Sequence, residues 1–420
     1  MQPLRRALQR CSQSAVATDS LALILTSALT AATGFLFWSL AARMLSPEEL
    51  GMETALLSLM TTAGTIAAIG TGNSFTALLP VPGCAHRERL LDGYVLVATT
   101  SVVLGAIAGL IASYTMHLGV ATTVGWAVLG SMTMAFFALK DSAMIGLGAA
   151  AKLPVQNLIA SIAKIALFPA MVAVGAHPAV AATLVAAGVA ATLVTTLVIP
   201  RLVTRKANVG AGTVRPAPSR RDLSVFTARD GIASAMSFGV MLSLPFITTA
   251  VAGPVEGAVL ALALTIAQAL DLVSAGVGTA LTTGLAASPE GMWARARRAW
   301  VLTLAAVTAT GVIILGLSPL IMAILGPRYR EQPVVLVLVI LMLGSAVRVS
   351  FVVWASALRA RSQTVTLLKV NGFTVAMVMP LILISTSQWG AVGSAAGLSA
   401  GSVILGGIGA IALVRSRGGA

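Results

Sequence analysis

Six charged side chains lie at least five residues inside long apolar segments of the chain, where a charge would be costly if those segments span a bilayer. There are four cations and two acids: Lys140, Lys164, Arg348 and Lys369, with Asp141 and Asp271. Charged residues in such segments usually face a bundle interior or an aqueous cavity. A guanidinium can bind an anionic group through two parallel hydrogen bonds, whereas a lysine acts as a point charge. The excess of cations therefore favours an anionic ligand.

Lys140 and Arg348 are the leading candidates for binding a substrate in a central cavity. At 1.5 Å per helical residue, Lys140 lies about 18 Å from Lys152, and Arg348 lies about 16 Å from Arg359, which would place both near the middle of a bilayer. An offset of 208 residues superposes Lys140 on Arg348. We therefore expect each half of the chain to contribute one deep cation from an equivalent helix.

The other four ionisable residues have alternative interpretations. Lys164 and Lys369 are further candidates for substrate binding, but Lys369 is close enough to Arg361 to reach the headgroups by extending its side chain. Asp271 and Asp141 are candidates for ion coupling. Lys140 or Lys164 could instead form a purely structural ion pair with one of these acids.

The composition predicts an integral membrane protein. Of 420 residues, 57% are hydrophobic and 10% are charged, and the mean hydropathy is +0.96. A helix needs roughly 20 apolar residues to cross a bilayer, and such runs recur along the chain. The predicted spans are 21–42, 52–79, 93–112, 120–151, 153–174, 180–199, 231–251, 255–287, 299–325, 334–358, 364–384 and 392–414. This pattern predicts an all-α polytopic protein with twelve transmembrane helices.

Basic residues predict the orientation of these helices. Most of the lysines and arginines between spans fall on one side, whereas the other side has only Arg43, Arg328 and Arg330. The positive-inside rule then places both termini in the cytoplasm. The net charge of +14 is distributed over short loops beside membrane spans, so it indicates topology and contact with anionic lipids rather than nucleic-acid binding.

No cofactor, metal site or catalytic group is predicted. Cys11 and Cys84 lie outside any metal or redox spacing, and the three histidines are scattered over loops on opposite faces. The segment GLSAG, residues 397–401, matches a nucleophile-elbow pattern but lies in a transmembrane span. Gly393, Gly397 and Gly401 recur every four residues, which favours close helix packing instead.

The chain divides into two similar halves. We expect a cytoplasmic segment over 1–20, a six-helix bundle over 21–200, a basic linker over 201–230, a second bundle over 231–414 and a tail over 415–420. AIGTGNSFTALL, beginning at Ala68, matches SAGVGTALTTGL, beginning at Ser274, and SPEELG at Ser46 matches GPVEG at Gly253. Because each half crosses the membrane an even number of times, the repeats are parallel. Ser46, Pro47 and the following glutamates also indicate the capped start of a helix.

The chain resembles polysaccharide-transport proteins, the O-antigen and teichoic-acid flippases, in three stretches: AARML (41–45), the SPEELG turn and AIGTGNSFTALLP. These belong to the multidrug, oligosaccharidyl-lipid and polysaccharide exporter superfamily. The resemblance is clearest over the first 90 residues. It implies a V-shaped pair of six-helix bundles in a bacterial plasma membrane that moves a lipid-linked oligosaccharide between leaflets by alternating access, for surface polysaccharide biosynthesis.

Two other functions remain open at the level of sequence. One is a cation-coupled multidrug exporter, in which Asp271 would be the coupling acid. The other is a non-transporting component of a glycan-assembly complex. The expected partners of the leading function are the lipid-linked glycan, membrane lipids and other glycan-assembly proteins. The sequence contains no Walker A motif, which argues against an intrinsic ATPase.

Overall fold

The computed structural model describes residues 25–26, 28–79, 86–175, 177–209, 220–287, 291–361 and 363–415, which are helical apart from short connections. The N-terminal segment, both cysteines and the C-terminal tail beyond Arg415 lie outside these ranges. Helix α1 covers residues 28–44. The other helices of the first half are α2 (Pro47–Leu78), α3 (His86–Thr115), α4 (Val120–Gly146), α5 (Leu153–Val174), α6 (Pro178–Leu193) and α7 (Ile199–Val209). Those of the second half are α8 (Arg220–Ala252), α9 (Pro254–Ala287), α10 (Met292–Gly316), α11 (Ser318–Leu325), α12 (Val334–Ala360) and α13 (Thr364–Arg415).

The all-helical membrane fold is confirmed. Within the described residues, nine helices are long and apolar enough to cross a membrane, and no strand occurs. The other three predicted spans correspond to α1, to the apolar part of α8, and to the division of α13 into two segments. Helix α7 and the start of α8 extend into the predicted linker, of which residues 210–219 lie outside the described ranges.

The chain forms two compact units. Unit 1 contains the described residues of Met1–Gly34 and Met60–Ser234, and unit 2 contains Phe35–Leu59 together with the described residues of Ala235–Ala420. The short segment Phe35–Leu59, which carries the SPEELG turn, therefore packs with residues of the second half. Its contacts explain this placement.

The SPEELG turn begins α2 with reciprocal hydrogen bonds. The Ser46 backbone N–H donates to Glu49 Oε2 at 2.8 Å, and the Glu49 N–H donates to Ser46 Oγ at 3.2 Å. This capping box satisfies two backbone donors that the helix leaves without partners, and Pro47 occupies a first-turn position that needs no donor. The predicted helix start is confirmed.

Two arginines fix the same turn within unit 2. Arg43 donates from Nε to the Ile324 carbonyl at 2.7 Å and from Nη2 to the Ala323 carbonyl at 2.9 Å, at the end of α11. In return, Arg328 Nη1 donates to the Leu45 carbonyl at 2.8 Å, just beyond the end of α1. Each cation thus satisfies carbonyls at the negative end of a helix.

Helix α13 contains a sharp bend at Trp389 and Gly390. Gly390 has a φ of 57°, and the following residue begins a second helical segment whose N–H, on Ala391, donates to Glu256 Oε2 at 2.6 Å. A positive φ favours glycine, and a carboxylate is favourable at a helix N-terminus. Glu49 and Glu256 occupy matching positions of the two repeats, but Glu49 caps its own helix and Glu256 caps another.

The glycine stripe after this bend forms a helix-packing surface, as predicted. A Cβ at Gly393 would overlap the Ser385 carbonyl, one at Gly397 would lie 2.8 Å from Ile382 Cγ1, and one at Gly401 would lie 3.0 Å from Val378. The two segments of α13 therefore pack against each other with nearly touching backbones, as small residues permit in membrane helices.

Gly393→Ala should destabilise the protein by about 1–3 kcal/mol because the new methyl group meets rigid backbone. The readout is the thermal unfolding midpoint in detergent. Gly407→Ala is the matched control on the same segment, since a Cβ there meets no atom within 4 Å. Equal midpoints for the two variants would contradict the packing account.

Candidate functional site

The structure brings the two acids predicted within the spans into ion pairs with two of the predicted cations. In unit 1, Lys140 Nζ lies 2.5 Å from Asp141 Oδ1, and in unit 2, Arg348 Nη2 lies 2.5 Å from Asp271 Oδ1. An isolated charge in such surroundings carries a large desolvation cost, which a close opposite charge reduces. Both pairs therefore neutralise acids that lie within apolar helices.

The unit 1 pair is closed by a third side chain. Lys140 Nζ also donates to Asn157 Oδ1 at 2.9 Å, and Asn157 Nδ2 donates to Asp141 Oδ2 at 3.0 Å. The ammonium lies 4.0 Å from the centroid of the Phe137 ring. The Lys140 side chain is 0% exposed, compared with 25% for Asp141. In this conformation, the ammonium has no surface to offer a ligand.

Lys140 lies nearer to the end of its helix than the sequence suggested. Helix α4 ends at Gly146, Gly148 has a φ of 76°, and a separate 3₁₀ turn follows at Ala150–Lys152. The expected continuous helix through Lys152 is wrong, because the backbone at Gly148 leaves the right-handed helical region. Lys140 is therefore about 9 Å along the axis from the helix end.

The expected equivalence of Lys140 and Arg348 is also wrong. Helices α4 and α12 both have 27 residues and are offset by 214 residues at each end, from 120 to 334 and from 146 to 360. The packing agrees, since a Cβ at Gly72 would meet Ser142 Oγ and one at Gly278 would meet Ser356 Oγ. The offset of 214 aligns Lys140 with Trp354.

Arg348 thus has no charged counterpart in unit 1, where the same position on α4 is Met134. It lies near the middle of α12, about 18 Å along the axis from the nearer helix end. The predicted depth of Arg348 is consistent with this position. The ion pairs of the two units therefore lie at different positions along the equivalent helices. The pair near the middle of its helix, called the deep pair below, is the one in unit 2.

The unit 2 pair borders a small polar cavity. Asp271 Oδ1 also accepts a hydrogen bond from Ser345 Oγ at 3.1 Å, and the side chains of Asp271 and Arg348 are 23% and 26% exposed. The adjacent cavity has a volume of about 20 Å³ and is also lined by Ser399 and Ser402. This space suffices for a water molecule but not for a sugar or a drug.

Arg348 retains hydrogen-bonding capacity. A guanidinium has five N–H donors, and among the residues that the structure describes Asp271 is its hydrogen-bonding partner. Asp271 orients the group, while the quarter of the side chain that is exposed can meet a ligand. Arg348 is therefore the best placed of the predicted cations to bind an anion.

The other two predicted cations lie outside these ion pairs. Lys164 is half-buried on α5, and Lys369 is exposed on α13, five residues after the start of that helix. The position of Lys369 suits contact with headgroups. Their substrate-binding roles remain predictions.

The sequence interpretation overlooked three polar residues. A search for charged residues does not find Asn157, because an amide carries no charge. Tyr94 and Thr195 have hydroxyls 3.2 Å apart, and Thr195 lies in the π-helical turn Val194–Val198. Such turns frequently mark functional sites, but they have no simple sequence signature. The position of Asn157 in the sequence would indicate this cluster only if α5 were already known to pack against α4.

Comparison with solved structures places this arrangement in a known fold. An inward-facing multidrug resistance MATE family transporter of the MOP superfamily aligns over 94% of this chain and 96% of its own, with 14% identity and a TM-score of 0.60. An outward-facing one aligns over 96% and 95%, with 16% identity and a TM-score of 0.59. The chain has the MATE fold. No protein-family model and no curated protein sequence matches the chain.

A third structure with the MATE fold differs in its binding pocket. It is a MOP superfamily transporter from Pyrococcus furiosus, described as having a binding pocket of reverse polarity that suggests a different function. It covers 96% of this chain and 95% of its own, with 15% identity and a TM-score of 0.60. Since the three similar structures all fall at or below 16% identity, they establish the MATE fold of this chain and leave its substrate to the chemistry of its own residues.

The deep ion pair can be tested by a double-mutant cycle with Asp271→Asn, Arg348→Met and both together. Each single change should lower the free energy of unfolding because it leaves the charge of the partner residue uncompensated. The double variant should recover part of the loss. We expect a coupling energy of about 1–3 kcal/mol. Strictly additive changes in stability would contradict a direct interaction.

Proposed function

We propose that the protein is a transporter that moves a lipid-linked oligosaccharide across a bacterial plasma membrane by alternating access. The MATE fold supports transport, since similar structures include inward-facing and outward-facing transporters. The distribution of basic loops supports an orientation with both termini in the cytoplasm. The sequence resemblance to polysaccharide flippases supports the glycan substrate and a place in surface polysaccharide biosynthesis.

The main support for an anionic substrate is that both acids within the predicted spans are already neutralised. Asp141 and Asp271 already hold internal cations at 2.5 Å. A cationic drug that approached either carboxylate would meet a lysine or an arginine already held there, which weakens its attraction to the acid. An anionic pyrophosphate linkage, by contrast, can bind the remaining donors of Arg348 without breaking its contact with Asp271.

In this mechanism, Asp271 is a positioning residue and Arg348 is the substrate-binding residue. Asp271 holds the guanidinium in the middle of α12, and Arg348 binds the anionic bridge of the glycolipid. Lys164 and Lys369 are further cations for the anionic glycolipid, each within its own unit, and the lipid tail stays in the bilayer. The contacts are electrostatic and reversible, as release on the far side requires, and we assign no catalytic step to any residue.

Purified protein in proteoliposomes should accelerate the movement of a fluorescent sugar linked to polyprenyl pyrophosphate between leaflets. Arg348→Gln should reduce this rate about tenfold or more, because a charge-assisted hydrogen bond contributes about 1.5–3 kcal/mol. Arg330→Gln is a matched control at an exposed position between α11 and α12, and it should retain the wild-type rate. Wild-type protein that leaves the lipid movement unchanged would contradict the proposal.

The alternative function is a cation-coupled multidrug exporter, which the multidrug transporters of similar fold favour. In that case, the same vesicles would transport ethidium, and Asp271→Asn would abolish transport. Ethidium movement without lipid movement would decide for this alternative.

A further inference from the structure

Lys140 is held in unit 1 in the manner of a bound cation. Its ammonium is enclosed by Asp141 Oδ1 at 2.5 Å, Asn157 Oδ1 at 2.9 Å and the face of the Phe137 ring at 4.0 Å. A carboxylate oxygen and an amide oxygen are hard ligands of the kind that bind alkali and alkaline-earth cations. The aromatic face adds favourable electrostatic attraction.

The two oxygen ligands are also joined directly to each other. Asn157 Nδ2 donates to Asp141 Oδ2 at 3.0 Å, so the amide oxygen of Asn157 and the other oxygen of Asp141 face the same point. This hydrogen bond joins α4 to α5 and sets the distance between the two ligands. Such supporting contacts are what maintain the geometry of cation sites.

We propose that Asp141, Asn157 and the ring of Phe137 form a monovalent-cation site in unit 1, and that the Lys140 side chain occupies it as a covalently attached cation. The attached ammonium neutralises Asp141 without the entropy cost of capturing a free ion. Wild-type unit 1 therefore takes up no external cation here. Removing the lysine side chain opens the site to one.

This site differs from the unit 2 pair in both position and chemistry. Lys140 aligns with Trp354 of α12, so the internal repeat does not duplicate the site. Arg348 is a partly exposed planar guanidinium beside a cavity, whereas Lys140 is a fully buried point charge. The proposal concerns ion occupancy alone and does not depend on the identity of the transported substrate.

The test is chemical rescue of Lys140→Ala in the full chain. This change removes three methylene groups and the ammonium, which together have the size of propylammonium. The thermal unfolding midpoint is measured in detergent with sodium chloride, propylammonium chloride or choline chloride at equal ionic strength. Choline is the control salt because its trimethylated head is too large for the space left by a primary ammonium.

Lys140→Ala should unfold at a lower midpoint than wild type in choline chloride and recover by about 2 °C or more in sodium or propylammonium chloride, since a ligand of the native state stabilises it. Wild type should show no such difference between salts. Lys164→Ala, which removes a lysine from the adjoining α5 but retains Lys140, Asp141 and Asn157, should also show none. Asp141→Asn added to Lys140→Ala should abolish the rescue.

Two results would overturn the proposal. The first is an equal response of wild type and Lys140→Ala to the three salts. The second applies if Lys140→Ala does not fold in any salt: a well-folded Lys140→Ala/Asp141→Asn double variant would then show that the cluster tolerates loss of both charges but cannot bind a free cation. Recovery of folded Lys140→Ala only when it is purified with sodium or propylammonium would support the site.

Discussion

The compensation of carboxylates within apolar helices by cations of the same chain is the constraint on which the rest of this structure depends. An ionised acid surrounded by apolar helices is tolerable only with a close opposite charge and satisfied hydrogen bonds. Asp141 and Asp271 each meet that requirement, but with different partners. Asp141 contacts a lysine and an asparagine that also contact each other, whereas Asp271 forms an ion pair with an arginine that remains partly exposed. The Lys140 ammonium is thereby fully buried, whereas the Arg348 guanidinium keeps an exposed part.

The same rule operates at the ends of helices, where backbone groups lack partners. Arg43 and Arg328 satisfy carbonyls at the ends of α11 and α1, while Glu49 and Glu256 satisfy backbone N–H groups. Glu49 acts within its own turn, whereas Arg43, Arg328 and Glu256 join segments that are far apart in sequence. They explain why the turn between α1 and α2 packs within unit 2 although most of α2 belongs to unit 1.

Much of the fold could be predicted from the sequence because hydropathy and helix length are local properties. The apolar spans, the capped start at Pro47 and the packing role of Gly397 required only short patterns. The residue-by-residue alignment of the two halves could not be predicted along their whole length. The matching glycines of α2 and α9 align those two helices, but they do not determine the offset between α4 and α12. The 208-residue offset therefore misplaced Lys140, and only the helix ends and the Ser142 and Ser356 contacts give 214.

The charges of the candidate site were predictable, and an ion pair of Lys140 with one of the two acids was among the expectations, but the pairing of Arg348 was not. An intramembrane lysine or arginine is visible in a sequence, but the acid that it meets on another helix is not. Asn157 completes the unit 1 cluster through tertiary contact alone, and the deep pairing of Arg348 with Asp271 joins α12 to α9. A fold does not determine what a protein binds, so these partners decide the chemistry of each pair.

The most direct test of the central claim is equilibrium binding to purified protein, measured by intrinsic tryptophan fluorescence. If the span acids are already neutralised, an undecorated polyprenyl pyrophosphate should bind saturably and compete with inorganic pyrophosphate, whereas rhodamine 6G should show no saturable binding. Saturable binding of the cationic dye that is lost in Asp271→Asn, with no binding of the pyrophosphate lipid, would contradict the account.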